Sequence, residues 1–206
     1  MLGFYNYTVI LTYMSLVSSI VGITLAFEGN TFGAVFCLLL SGFCDMFDGK
    51  VAKTMKRTED EKKFGIQIDS LSDLIAFGVL PAAIGYSIGL TAWWGKAIMA
   101  IFVLAALIRL AYFNVMEEKR QKKTNETRKE YTGLPVTTDA LIFPLVYALR
   151  SFFGSNFYIF YAFVLVLVAF LFLYKFKVVK PKLKGMIAMT IAGIIELFLL
   201  IWLMKW

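Results

Sequence analysis

The chain has no histidine among its 206 residues. That removes Ser-His-Asp chemistry, histidine-ligated zinc and histidine proton relays. Cysteine is almost as scarce. Cys37 and Cys44 both fall in one long apolar helix, where a disulfide has no reason to form, so they carry little information about redox compartment. Charged residues make up only 17% of the chain, and they are clustered in a few runs. The stretches 4–27, 29–44, 74–95, 97–108, 151–174 and 185–195 contain no Asp, Glu, Lys or Arg. No Lys or Arg precedes Lys50, so the basic region of a cleavable signal is absent and the first helix is expected to stay in the mature protein.

Apolar surface is what the chain has in abundance. Hydrophobic residues reach 60% and the mean hydropathy is +0.74, more than a soluble domain of this size needs. The expected fold is all-α: a polytopic transmembrane helical bundle forming one domain over residues 1–206. Roughly 20 residues at ~1.5 Å each cross a hydrocarbon core. The sequence then divides into helices near 6–27, 31–54, 66–89, 93–116, 135–152, 156–174 and 186–204, a six-helix core plus a C-terminal helix.

A net charge of +7 raises the question of nucleic acid, but its distribution points elsewhere. Of 21 Lys and Arg, six lie in 50–63, six in 119–129 and five in 175–184. These are the loops after the second, fourth and sixth helices, and the alternate loops hold almost no positive charge. That is the positive-inside pattern, which puts the three basic loops in the cytoplasm. Their natural partner is anionic membrane lipid, and no nucleic-acid partner is expected.

Four of the chain's aspartates stand in two pairs. Asp45 and Asp48 are three apart, and Asp69 and Asp73 four apart, so on helices each pair projects from one face. Two such helices side by side bring four carboxylates together. That many like charges at a few ångströms call for cations between them, and hard carboxylate oxygens suit Mg²⁺ or Mn²⁺. Arg109 is the only cation deep in an expected span, and a buried Arg costs ~2.5 kcal/mol or more in a membrane, so it needs a partner. An ion pair with one of the aspartates is one reading; a planar clamp for a substrate carboxylate or phosphate is the other. Asp139 offers itself as a supporting partner for Arg109 or a basic loop. Pro81, in mid-helix, predicts a kink. The hydroxyls of the first helix are expected mostly to bond neighbouring backbone, Glu196 to be hydrogen-bonded, and Trp202 and Trp206 to sit in an interfacial belt.

The segment Asp45-Met46-Phe47-Asp48-Gly49-Lys50-Val51-Ala52-Lys53, a charged spacer, and Gly65-Ile66-Gln67-Ile68-Asp69-Ser70-Leu71-Ser72-Asp73 resembles the signature of the CDP-alcohol phosphotransferases, integral membrane enzymes that build phospholipids from a CDP-activated substrate and an alcohol. The family usually has Arg where this chain has Lys53, which keeps the charge without the bidentate fork. The spacer to Gly65 is also a few residues longer than usual. Phe77-Gly78-Val79-Leu80-Pro81, Ile108-Arg109-Leu110-Ala111-Tyr112-Phe113-Asn114 and Gly133-Leu134-Pro135 are similar to the phosphatidylserine synthase branch.

The resemblance implies two metals, one held by Asp45, Asp48 and Asp69, the other by Asp45, Asp69 and Asp73, with Asp73 also the general base. It implies a CDP-lipid site (CDP-diacylglycerol or a CDP-archaeol-like ether lipid) drawing on Gly49, Ala52, Lys53 and Gly65, with Thr12 and Ser15 from the first helix. Arg109 and Asn114 are the candidates for binding L-serine. The family also implies a homodimer; with the basic loops in the cytoplasm, the active site is expected to face the same side. Another acceptor, glycerol phosphate or inositol phosphate, is the alternative within the family. A cation transporter is more remote, because it would not need Gly49, Ala52 and Gly65 at these spacings.

Overall fold

The computed structural model describes residues 3–122, 130–179 and 183–204. Residues 123–129 of the expected cytoplasmic loop, Lys180 and Lys182 of the third basic run, and Trp206 lie outside the described residues. The helices are α1 (Ile10–Phe27), α2 (Thr31–Val51), α3 (Glu59–Ile88), α4 (Trp93–Gln121), α5 (Asp139–Ala148), α6 (Phe157–Leu173) and α7 (Leu183–Met204). Among the described residues, six helices are long and apolar enough to cross a membrane. The seventh, Val136–Ala148 counted with its leading 3₁₀ turn, falls short of the roughly 20 residues a perpendicular span requires.

The ends of these helices follow local chemistry. Gly29, at φ +80°, ends α1 in a left-handed turn, and the Asn30 side chain accepts a bond from the Gly33 N–H to start α2. Helix α3 begins at Glu59 rather than near 66. Its charged first turns had the look of a loop, but Thr58 and Glu61 form a reciprocal capping box, and Glu59, Asp60 and Glu61 face the positive helix terminus. Helix α4 likewise runs past 116 to Gln121, where Glu117 pairs with Arg120 and Glu118 with Lys122. The expected helix 135–152 is instead broken at Leu149. The chain tightens there into i→i−3 bonds and makes a short helical turn, Arg150–Phe153, before turning at Gly154.

Where Pro81 predicted a kink, α3 opens into a π-helical stretch, Leu74–Val79, with the Leu80 N–H reaching back to the Ile75 carbonyl. An i→i−5 turn of this kind accommodates a residue that cannot donate to the ladder. One feature falls outside the all-α expectation. Strand β1 (Glu130–Thr132) pairs antiparallel with β2 (Lys177–Val179), with Tyr131 opposite Val178, so the segments before α5 and after α6 are tied together.

Helix α1 packs along α2 through small residues and hydroxyls. Ser18 donates to the Cys37 carbonyl at 3.0 Å, and Ser41 donates to the Ser15 carbonyl at 3.1 Å. A Cβ on Gly22 would lie 2.8 Å from the Cys37 Cβ, so only glycine permits this approach. Helix α2 meets α5 equally closely at Gly42, where a Cβ would overlap that of Ala140. On the far side, α4, α5 and α6 interlock through Phe102, Phe143, Phe172 and Tyr161. Helix α7 lies against α5 and α2.

Candidate active site

The last two turns of α2 and the middle of α3 face each other, and there the two aspartate pairs meet. One carboxylate oxygen each from Asp45, Asp48 and Asp69 fall within 4.8 Å of one another. Asp73 lies within hydrogen-bonding reach of Asp45, as Asp69 does of Asp48. Asp48 is 9% exposed and Asp73 8%. No ion pair among the described residues involves any of the four. A crowded, mostly buried, all-oxygen donor set of this kind fits a hard divalent cation.

Neighbouring helices hold the carboxylates in place. Thr12 of α1 donates to Asp48 Oδ2 at 3.1 Å, while Ser72 of α3 donates to the Thr12 carbonyl at 3.2 Å, so α1 is tied to both acidic helices at one level. Ser15, one turn on, bonds the Ser41 carbonyl at 3.4 Å and lies within the α1–α2 seam. Asn114 of α4 donates to Ser70 Oγ at 2.8 Å, next to Asp69 in sequence.

A cavity of about 810 Å³ opens from Asp45 and Asp48 and extends between α2, α5 and α7. Gly49, Lys50 and Lys53 line its polar end, and a Cβ on Gly49 would meet nothing within 4 Å. Ala52, half-buried, sits in the 3₁₀ turn Ala52–Thr54 that carries Lys53. Gly65 lies one turn before Asp69, and a Cβ there would come within 3.0 Å of Arg57 Nη1. The spacer thus folds a guanidinium over Gly65, at a residue whose sequence reads as solvated charge.

Arg109 is 5% exposed. Its Nε donates to the Leu134 carbonyl at 3.0 Å and its guanidinium lies over the Phe113 ring. It lines a separate small cavity with Tyr112 and Lys175, not the large one. The expected link from Asp139 to Arg109 or a basic loop is not made. Asp139 is fully buried, and neither carboxylate oxygen has a hydrogen-bond partner among the described residues. It shares a helix face with Phe143 four residues on, which turns it toward the aromatic core. Glu196, expected to be hydrogen-bonded, leaves Oε2 without a partner. Sequence reading overlooked Thr137, Thr138 and the inner face of α7 as cavity wall; only the apolar periodicity of α7 carried any signal.

The fold and site define a membrane-embedded helical bundle with a carboxylate cluster beside an amphiphilic cavity. Residues 5–171 match the CDP-alcohol phosphatidyltransferase family, and the chain belongs to that family. The CDP-diacylglycerol–serine O-phosphatidyltransferase of Saccharomyces cerevisiae is 39% identical over 120 residues, covering 57% of this chain and 42% of that protein. The archaetidylserine synthase of Methanothermobacter thermautotrophicus is 30% identical over 184 residues, covering 88% of this chain and 72% of that protein. The CDP-diacylglycerol–serine O-phosphatidyltransferase of Helicobacter pylori is 36% identical over 115 residues, covering 53% and 43%. The chain therefore spans less than half the length of the yeast and Helicobacter relatives.

Proposed function

We propose that this protein transfers the phosphatidyl group of a CDP-activated lipid to L-serine and releases CMP. The observation that carries this reading is the convergence of Asp45, Asp48 and Asp69 within 4.8 Å at the mouth of the large cavity. The names of the relatives support the lipid donor and serine. In the proposed reaction the serine hydroxyl oxygen attacks the lipid-side phosphorus of the diphosphate. The bond from that phosphorus to the bridging oxygen breaks, CMP departs with that oxygen, and the hydroxyl proton passes to the Asp73 carboxylate. Asp45, Asp48, Asp69 and Asp73 are the residues that would hold Mg²⁺ or Mn²⁺. Bound there, the two ions would neutralise the charge of the diphosphate. Lys53 and Lys50 face the donor's phosphates, and Gly49 leaves room for the nucleotide end.

Thr12 orients Asp48, and Asn114 acts through Ser70 on the segment carrying Asp69. Arg109, through its bond to the Leu134 carbonyl, anchors the segment that leads into α5. Lys50 and Lys53 of the first basic run line the cavity beside Asp45 and Asp48, which favours a cytoplasmic site. A homodimer is part of the same proposal.

The test is metal-dependent CMP release by the purified protein with CDP-diacylglycerol or its ether analogue, comparing L-serine, glycerol 3-phosphate and inositol phosphate. Release with serine alone supports the reading. Release with a different acceptor keeps the metal site and removes the serine assignment. No release with any donor and acceptor overturns the transferase.

A further inference from the structure

The family match ends at residue 171, before α7 begins, yet α7 walls the cavity beside the carboxylates. Its contribution is one continuous stripe: Met186, Met189, Thr190, Gly193, Ile194 and Leu197. The spacing of i, i+3, i+4, i+7, i+8 and i+11 is a single helix face. The cavity is also elongated. Along α2 its lining runs from Lys53 to Phe36, about 25 Å at the helical rise. Lys and Asp side chains line one end, and phenylalanine, leucine and isoleucine the other. That is the charge pattern of an amphiphile with an anionic head and a hydrocarbon tail. The volume of about 810 Å³ is in the upper part of the roughly 300–1,000 Å³ usual for ligand sites.

The α7 wall is also lightly attached. Among the described residues its side chains make one polar contact with another helix, Thr190 Oγ1 to Met46 Sδ at 3.8 Å. Ile194 remains half exposed although it lines the cavity, so the chamber opens sideways beside α7. Three of the lining residues (Met46, Met186 and Met189) are methionines, whose unbranched side chains repack around varied apolar ligands. Gly193 contributes no side chain, and a Cβ added there would already touch Leu141 Cδ2 of α5 at 3.5 Å, so a bulkier side chain has to enter the chamber.

We infer that α7 is the wall that selects the hydrocarbon chains of the donor, a specificity-determining element outside the family's shared region. This rests on the CDP-lipid reading above. Gly193 lies one turn along α7 from Thr190, which meets Met46 beside Asp45, so a side chain placed there narrows the chamber just beyond the carboxylates and long-chain donors lose more than short-chain ones.

The experiment compares dipalmitoyl and dioctanoyl CDP-glycerolipids with wild type and Gly193→Phe, measuring kcat/KM for each donor and KM for serine. The expected result is a fall of about tenfold or more for the dipalmitoyl donor, with the dioctanoyl value within about twofold and the serine KM unchanged. An equal fall for both donors, or an unaltered preference, overturns the inference. A second measurement needs no variant. A dipalmitoyl donor carrying a diazirine at the chain terminus is photolysed on the wild-type protein, and the labelled peptides are mapped. Label within 186–197 supports the assignment, and label confined to other helices overturns it. CMP release by wild type with an unmoved chain preference removes the α7 inference alone; no CMP from either donor removes the proposed function and this inference with it.

Discussion

The two sides of the bundle are built by opposite means. Between α1, α2 and α3 the contacts are serine, threonine, glycine and cysteine, with hydroxyls bonded to backbone carbonyls across the seam. Between α4, α5 and α6 they are aromatic rings meeting edge to face or tilted. Small residues let backbones approach closely, which lipid-embedded helices exploit for association. The close packing of α1 against both α2 and α3 is what brings their short aspartate side chains to one point. Aromatic packing fills volume at wider spacing and anchors a scaffold. The seam is therefore the part whose geometry the chemistry needs, and the aromatic side sets where the seam stands.

The comparison is sharpest at the carboxylates. Asp73→Asn removes the proposed proton acceptor while preserving shape, and CMP release is expected to fall about 10²–10⁴-fold. Helicity and melting temperature should change little. A variant with near wild-type turnover would remove Asp73 from that role.

Next in size comes the seam itself. In Gly22→Leu the Cβ alone would lie 2.8 Å from the Cys37 Cβ and 3.0 Å from Leu80 Cδ1. Overpacking of this kind costs about 1–3 kcal/mol, and pushing α1 outward also drags Thr12 from Asp48. Turnover is expected to fall about tenfold, together with thermal stability. Loss of stability with full activity per folded molecule would show that the seam does not transmit to the site. Thr12→Val is milder. It removes the 3.1 Å bond to Asp48 at a cost of about 1 kcal/mol, so kcat is expected to drop roughly fivefold and the melting temperature to fall by about 2–4 °C.

The two sides also differ in how well the sequence announces them. The aspartate pairs are legible because three- and four-residue spacing fixes a helix face whatever the tertiary context. Helices α1, α2, α4 and α6 are legible because uncharged runs of that length have few other uses. The start of α3 was hidden because Glu59 to Lys63 are charged, and the capping box that makes them helical depends on just two residues, Thr58 and Glu61. The end of α5 was hidden for the opposite reason. Apolar residues continue past Ala148, while the backbone changes bond pattern at Leu149. The β1–β2 ribbon is three residues a side, too short for alternation to register. Arg109 and Asp139 look like a buried pair by type, but pairing depends on which faces α4 and α5 present to each other. The structure turns Arg109 to Leu134 and Asp139 to the aromatic interior.

The smallest effect tests the aromatic side. The Tyr161 ring is fully buried, in contact with Phe143 and Phe157, and its hydroxyl donates to the Pro81 carbonyl at 2.9 Å. That carbonyl lies just beyond the π-helical stretch, so the bond pins α6 to α3 where α3 departs from regular geometry. Tyr161→Phe keeps the ring and removes only the donor. Polar contacts between helices in a bilayer are worth about 0.6 kcal/mol on average, so a melting-temperature decrease of about 1–2 °C is expected, with kcat unchanged. The second half of that expectation carries the weight. If Tyr161→Phe lowers kcat as much as Thr12→Val does, the π-helical stretch relays strain from the scaffold to Asp73, the residue immediately before it, and the division of labour between the two sides fails. If only stability moves, the aromatic side serves as foundation, and the geometry of the carboxylates is set within the seam.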